Sequence, residues 1–413
     1  MSSSRKAISK ICVVTSYSAM SEPRAPRHAL AVARAFPEAE VFFVDMATSV
    51  DKNTLSKSFN DSRINLITLP VYTRKGNVFC WLYRRIVVAV AKLIYLVFGK
   101  ILSPVFGSKA VGLTKALTRI GADLYIAHTI DSLLPAASAA NKLGAKLVFD
   151  CMEFYSDMGA GQTALESRAT KEIEAQILPR CSLILASSEV LAAELEKSYK
   201  IKRPLALYNT PDVLVKLPSK VKCDALKLYW RNSVIGFGQR GLDDALCALT
   251  MLPLDVILTL QGKLPEDGGV ALRSRIKELS LVGRVFILPP YIPGQAVSEA
   301  SAHNVGLCME RRGPRNHDYT VSNKLFDYMM AGLAVIVPDL AGLTTVVNHA
   351  GSGLIYKAGS PSSLAEEISI LYRDRDLLRQ LSGASRKFAL IEGNNDFEMK
   401  KFQRSVSECI DFA

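Results

Sequence analysis

In Asn323–Pro338, NKLFDYMMAGLAVIVP, an amphipathic helix, a single glycine and a wholly apolar strand follow one another without a break. Leu325, Phe326, Tyr328, Met329 and Met330 recur mostly on one face at helical spacing, which predicts a short helix over Asn323–Ala331. Gly332 is where it should stop, because a left-handed cap costs glycine no Cβ clash. AVIV, closed by Pro338, reads as a strand buried on both faces, as parallel strands are. The joint therefore predicts an α/β fold. It also places Lys324 and Asp327 near a helix terminus beside a sheet, where anionic ligands are commonly held.

A second joint of the same kind lies upstream. Lys227–Ile235 reads as a strand, irregular at Trp230–Asn232, and runs into GFGQRGLDDAL. Gly236, Gly238 and Gly241 make a GxGxxG between strand and helix, a dinucleotide fingerprint only if an acidic residue ends the next strand. That strand, VILTL, ends in Gln261, Gly262 and Lys263 instead. Phosphate binding fits better: tight glycines expose backbone N–H groups, the following helix presents its positive end, and Arg240 brings a planar fork suited to phosphate oxygens. Lys263 and Lys324 are the candidates for a second cation.

At 413 residues the chain exceeds one ordinary core, so two domains are expected. The turn-rich LALYNTPD interrupts the strand–helix repeat at Asn209–Asp212 and sets the boundary, giving domains 1–208 and 209–392. In the first, Asp123–Ala127 predicts a strand ending at His128, and LVFD one ending at Asp150; strand ends are where α/β sheets bind ligands.

The net charge of +12 is unevenly placed: 63–121 holds ten basic residues and no Asp or Glu. Within it, Val78–Phe106 is strongly apolar but broken by Arg84, Arg85, Lys92 and Lys100, so a spanning helix is not expected. On a helical wheel those four share one arc, opposite Ile86, Val90, Leu93, Val97 and Phe98. Such a helix lies along an anionic bilayer surface, which makes Arg84, Arg85, Lys92, Phe98 and Lys100 the expected membrane contacts. The stretch lacks the polar, aromatic-interleaved character of a nucleic-acid surface. Eight scattered cysteines without metal-ligand spacing suit free thiols in a reducing cytoplasm, and no Asp/His/Glu cluster suggests a metal.

Along nearly its whole length, most strongly from Gly236 to Lys357, the sequence resembles the retaining glycosyltransferases of family 4. There an acidic residue, an apolar pair, a small residue and Gly precede a Val-Ile strand. Asp327 matches the acid that holds the nucleotide's ribose, and Tyr319 stands where the family has a glutamate on the donor sugar. Pro23, Arg24, Arg27 and His28 match its first loop-to-helix joint, and His128 matches a histidine near the junction of donor and acceptor. Asp150 and Glu153 match acidic positions after the next strand, with Met152 where His is usual. The resemblance implies a GT-B fold: two doubly wound Rossmann-like domains facing a cleft, with 393–413 packing back on the first.

The resemblance further implies a metal-independent retaining transfer from a UDP- or GDP-linked sugar, with no other cofactor. The donor would meet Gly238, Arg240, Lys263, Tyr319, Asn323, Lys324 and Asp327. His128, Arg240 and Lys263 would serve the reaction, and Arg24, Arg27, Asp150 and Glu153 would line the acceptor side. Together with the basic apolar helix it suggests a lipid-linked or oligosaccharide acceptor, surface polysaccharide assembly, and a cytoplasmic protein held peripherally at the inner face of the cell membrane. A nucleotide-sugar epimerase or hydrolase, or a non-catalytic scaffold, would share the fold.

Overall fold

Short β-branched and apolar runs separated by amphipathic helices organise the chain into two parallel sheets. The computed structural model describes residues 8–19, 22–48, 61, 63–159, 161–218, 224–237, 241–292 and 294–411. The chain divides into two compact units, Met1–Leu207 with Met399–Ala413, and Tyr208–Glu398.

In the first unit the strands are β1 (Lys10–Val14), β2 (Glu40–Ala47), β3 (Ile64–Pro70), β4 (Leu124–His128), β5 (Lys146–Cys151), β6 (Leu183–Ala186) and β7 (Leu205–Ala206). Their order is β3-β2-β1-β4-β5-β6-β7, with every pairing parallel. Ile11, Val13, Val41, Phe43, Leu124 and Ile126 bury completely, so the hydrophobic effect fixes which strands are central. The last helix, Asn395–Asp411, completes this core with Phe402 and Val406.

The second unit contains β8 (Leu226–Val234), β9 (Val256–Lys263), β10 (Val285–Leu288), β11 (Val305–Leu307), β12 (Ala334–Pro338) and β13 (Gly353–Tyr356). Their order, β10-β9-β8-β11-β12-β13, is again wholly parallel. The expected joint is present: a helix Asn323–Met330, Gly332 at φ +69°, and β12 buried along its whole length. In both sheets the order reverses about the first strand, β1/β4 in one and β8/β11 in the other. Ligands of doubly wound folds bind outside the strand C-termini at that switch point.

The apolar basic stretch departs from expectation in two ways. Its helix is Val78–Phe98 rather than one run to Phe106. Gly99, at φ +65°, caps it, and two 3-10 turns follow, Ser103–Phe106 and Ser108–Ala110. Only Ala91 and Tyr95 of the helix are buried, in a small cluster with Val105 and Ala169. The second departure is orientation. Arg84 Nη1 donates to the Ser108 carbonyl at 3.2 Å, and its guanidinium lies 4.8 Å from the Tyr72 ring. Lys92 Nζ sits 2.8 Å from Glu166 Oε1. With no carboxylate of its own, the segment finds acceptors in the body of the unit. Two of the five expected membrane contacts are thereby turned toward protein, while Arg85, Phe98 and Lys100 stay exposed. Among the described residues no helix is long and apolar enough to cross a membrane.

Candidate functional site

At the switch point of the second sheet, β8 loses its regular register against β9 between Arg231 and Val234. The irregularity expected at Trp230–Asn232 begins directly after Arg231, the last residue of β8 in regular register, which pairs with Gln261. The Arg231 guanidinium is ion-paired to Asp327 and lies 4.8 Å from the Tyr291 ring. Its backbone N–H donates to the Tyr328 hydroxyl at 3.1 Å. Arg231 is 8% exposed. Low exposure and ring stacking preorganise the fork, so that it loses little freedom when it engages an anion.

Lys324, expected as a second phosphate cation, is already engaged. Its Nζ is 2.7 Å from Glu310 Oε1, both side chains are buried, and it lies 5.9 Å from the Trp230 ring. Burial requires such a partner, since an isolated ammonium is too costly there. Lys263, at the end of β9, and Asn323, opening the helix that carries Asp327, are exposed. Tyr319 ends a short helix, Arg315–Tyr319, and its hydroxyl accepts from Arg315 Nε at 3.1 Å and Nη2 at 2.9 Å.

Gly238 and Arg240, the centre of the expected phosphate loop, lie outside the described residues. The end of that loop is held firmly. Gly241, at φ +61°, could carry no side chain, because a Cβ would meet the Met309 carbonyl oxygen at 2.4 Å. Asp244, in the first turn of the helix Leu242–Thr250, accepts from Arg311 Nε at 2.9 Å and Nη2 at 2.7 Å.

In the first unit, three residues singled out separately form one cluster. His128 ends β4 and faces Asp150, the penultimate residue of adjacent β5, in register. Asp150 accepts from Arg24 Nε at 2.6 Å and Nη2 at 2.8 Å, and His128 Nδ1 lies 2.9 Å from its Oδ2. Arg24 Nη1 also donates to the Leu207 carbonyl at 2.6 Å. Burial alone would raise the Asp150 carboxyl, but the Arg24 charge and the His128 hydrogen bond outweigh it and hold it well below the usual range. All three are buried, so Arg24 and Asp150 form an internal ion pair rather than the open acceptor surface expected of them. Arg27 and Glu153 are half-buried beside it in sequence. Directly after His128, Thr129 adopts φ +71°, an outlier for a β-branched residue. Ser16 Oγ holds its hydroxyl at 3.0 Å, and Ser132 Oγ donates to its carbonyl at 3.0 Å.

His28 joins the cluster, its ring 4.9 Å from that of His128 and stacked at 4.1 Å on Phe402. His28, His128 and Asp150 bring ligand atoms within 4.8 Å of one another, close enough for a metal. The donor set does not suit one: Arg24 already occupies both Asp150 oxygens, and a dication would sit against its guanidinium.

Two buried groups give the first unit a pH signature. Burial holds His28 well below its ordinary 6.5, so its contribution is full above pH 6.5 and is lost as pH falls. Burial pushes Glu174, to which the Tyr199 hydroxyl donates at 2.5 Å, up to about 8 from 4.5. Its contribution is therefore full below 4.5 and is lost as pH rises through 8. Between pH 6.5 and 8 only Glu174 of this pair changes, so stability should fall with pH by up to about 1.4 kcal/mol per unit. Denaturant titrations should show that slope, and Glu174→Gln should flatten it; a flat wild-type profile would contradict the assignment.

Neither a protein-family model nor a curated protein sequence matches this chain. Solved structures do match in fold. The Anabaena protein HepE in complex with UDP has a TM-score of 0.70 at 14% identity, covering 97% of this chain and 100% of that one. Sucrose-phosphate synthase from Thermosynechococcus elongatus gives 0.72 at 13%, covering 98% and 100%. A point mutant of TarM from S. aureus, solved in complex with UDP among other ligands, gives 0.66 at 9%, covering 96% and 99%. At these identities the likeness establishes the fold: two Rossmann-like domains of the GT-B type.

Proposed function

We propose that the protein transfers a sugar from a UDP- or GDP-linked donor to a lipid-linked saccharide, with retained anomeric configuration, in cell-surface polysaccharide assembly. One observation carries the reading: a preorganised Arg231–Asp327 pair at the β8/β11 switch point, where doubly wound sheets take nucleotides. The ligands of similar structures agree, since HepE was solved with UDP, with UDP and glucose, and with UDP-glucose. Similar folds also include WaaG, described as acting in lipopolysaccharide biosynthesis, and the lipopolysaccharide outer core galactosyltransferase WaaB.

The hard step is departure of the nucleoside diphosphate. Fixed cations and backbone N–H groups stabilise charge as it develops there, without reorganising. In this reading Arg231, Lys263 and Arg240 meet the diphosphate, with Gly238 allowing close backbone approach. Asp327 holds the ribose, and Asn323 and Tyr319 border the sugar. Lys324, neutralised by Glu310, stiffens the helix that carries Asp327. His128, buried against Asp150, acts as a positioning residue at the end of β4, with Arg27 and Glu153 toward the acceptor. No step is assigned to a metal, because the acids nearest each switch point, Asp327 and Asp150, are already paired with arginines. A lipid-linked acceptor places the protein peripherally at the inner face of the cell membrane.

Thermal-shift measurements with UDP, GDP and ADP test the donor site. Binding at a hundredfold excess over Kd adds about 2.7 kcal/mol of stability, a shift of several degrees. UDP or GDP should produce it; no shift with any of the three would reject the reading.

A further inference from the structure

The helix Val78–Phe98 turns its apolar arc outward. Phe79, Leu82, Ile86, Val90, Leu93 and Val97 recur at spacings of three and four and are between 48% and 83% exposed. A continuous stripe of large exposed side chains is not left to water by chance. The helix is too polar at its inner edge to span a bilayer, since Arg84 and Lys92 interrupt it. Around the stripe, exposed Arg74, Lys75, Arg85 and Lys100 supply positive charge, and 63–121 contains no acidic residue to oppose it. Trp81, in the first turn and 5.9 Å from the Arg85 guanidinium, suits the polar–apolar boundary.

We infer that this helix inserts its outward apolar face into the headgroup–acyl boundary of an anionic bilayer, and that membrane affinity comes mainly from that face rather than from the basic residues of the helix. The occupant is a lipid surface rather than a second copy because the exposed charges that 63–121 itself contributes are all cationic, Glu166 being engaged with Lys92: two copies face to face would bring like charges together, whereas anionic headgroups complement them. The sequence alone suggests Arg84 and Lys92 as contacts; their protein partners remove both. The inference deepens the reading of a membrane-bound acceptor, but its test uses neither donor nor acceptor, so either can fail alone.

Full-length protein is floated with vesicles of phosphatidylcholine containing phosphatidylglycerol, before and after a high-salt wash. Insertion predicts binding that survives the wash, since salt screens exposed charges but not apolar burial. Trp81 emission should shift to the blue on vesicle addition, with Trp230 silent because it is fully buried. The combined variant Phe79→Ser, Leu93→Ser, Val97→Ser should lose at least about tenfold in vesicle affinity. Its fold is protected because all three side chains are already largely exposed. Arg84→Gln and Lys92→Gln should bind within about twofold of wild type. Four results would overturn the inference: no flotation, complete release by salt, unchanged binding by the triple variant, or a dimer without vesicle affinity that the triple variant dissociates.

Discussion

Asp150→Ala should unfold the first unit about 3–5 kcal/mol more easily than wild type, the cost of leaving a buried charge without its partner. Arg24, 3% exposed, gives two of its donors to Asp150 and a third to the Leu207 carbonyl. Removing the carboxylate strands the guanidinium and His128 together, in a place water does not reach. The double variant Arg24→Met, Asp150→Leu leaves no charge behind and should lose much less. Trp81 reports this unit and Trp230 the other, so urea titrations in a Trp230→Phe background follow the relevant transition. The Asp150 carboxyl titrates below its ordinary 3.8 when folded. Its contribution is therefore complete above that pH and disappears only as pH falls through the folded value. The deficit of Asp150→Ala should accordingly be the same at pH 5 as at pH 8, two values on one side of that titration. A loss below about 1 kcal/mol would show the pair to be no more than a surface-like salt bridge.

Local signals tell most of the fold. AVIV closed by Pro338 is the strand the sequence predicts, and Gly332 closes the helix before it as its conformational freedom requires. What one residue does to its neighbours along the chain is written in periodicity and turn chemistry. Which arc of Val78–Phe98 faces outward is not, because that depends on Ser108 and Glu166 capturing Arg84 and Lys92. The same limit governs the sites. Asp327 is legible, but Arg231, its partner from 96 residues away, shows in the sequence only as part of an irregular strand. Glu310 is visible as an acid upstream of Lys324 without any sign that the two pair. One further step could have joined His128 and Asp150: both lie at the C-terminal ends of buried strands joined by a single helix, His128 last in β4 and Asp150 last but one in β5, which makes them lateral neighbours in a parallel sheet. No local signal marks the positive φ of Thr129; Ser132, three residues on, holds its carbonyl locally, but the hydroxyl contact with Ser16 appears only once β1 and β4 lie side by side.

Asp327→Ala should lower turnover by about 10²–10³, a size typical for loss of one preorganised charged contact in a site that excludes water. UDP or GDP affinity should fall about tenfold or more, the worth of a charge-assisted hydrogen bond to a ribose hydroxyl. Two roles could produce such losses: Asp327 either touches the nucleotide itself or serves only to hold Arg231 in place. A double-mutant cycle separates them. If Asp327 only positions Arg231, then Arg231→Met alone should be as damaging as the pair, and adding Asp327→Ala should cost nothing more. If Asp327 holds the ribose while Arg231 meets the diphosphate, the two act on different parts of the ligand. The double variant should then bind UDP or GDP more weakly than either single one in titration calorimetry. Tyr291 provides the control, because Tyr291→Leu removes the ring under the Arg231 guanidinium while leaving the ion pair intact. It should cost only the stacking contribution, about 0.5–2 kcal/mol or roughly two- to thirtyfold in affinity. Nucleotide affinity unchanged by Asp327→Ala would remove the donor site from the β8/β11 switch point, and with it the transferase reading.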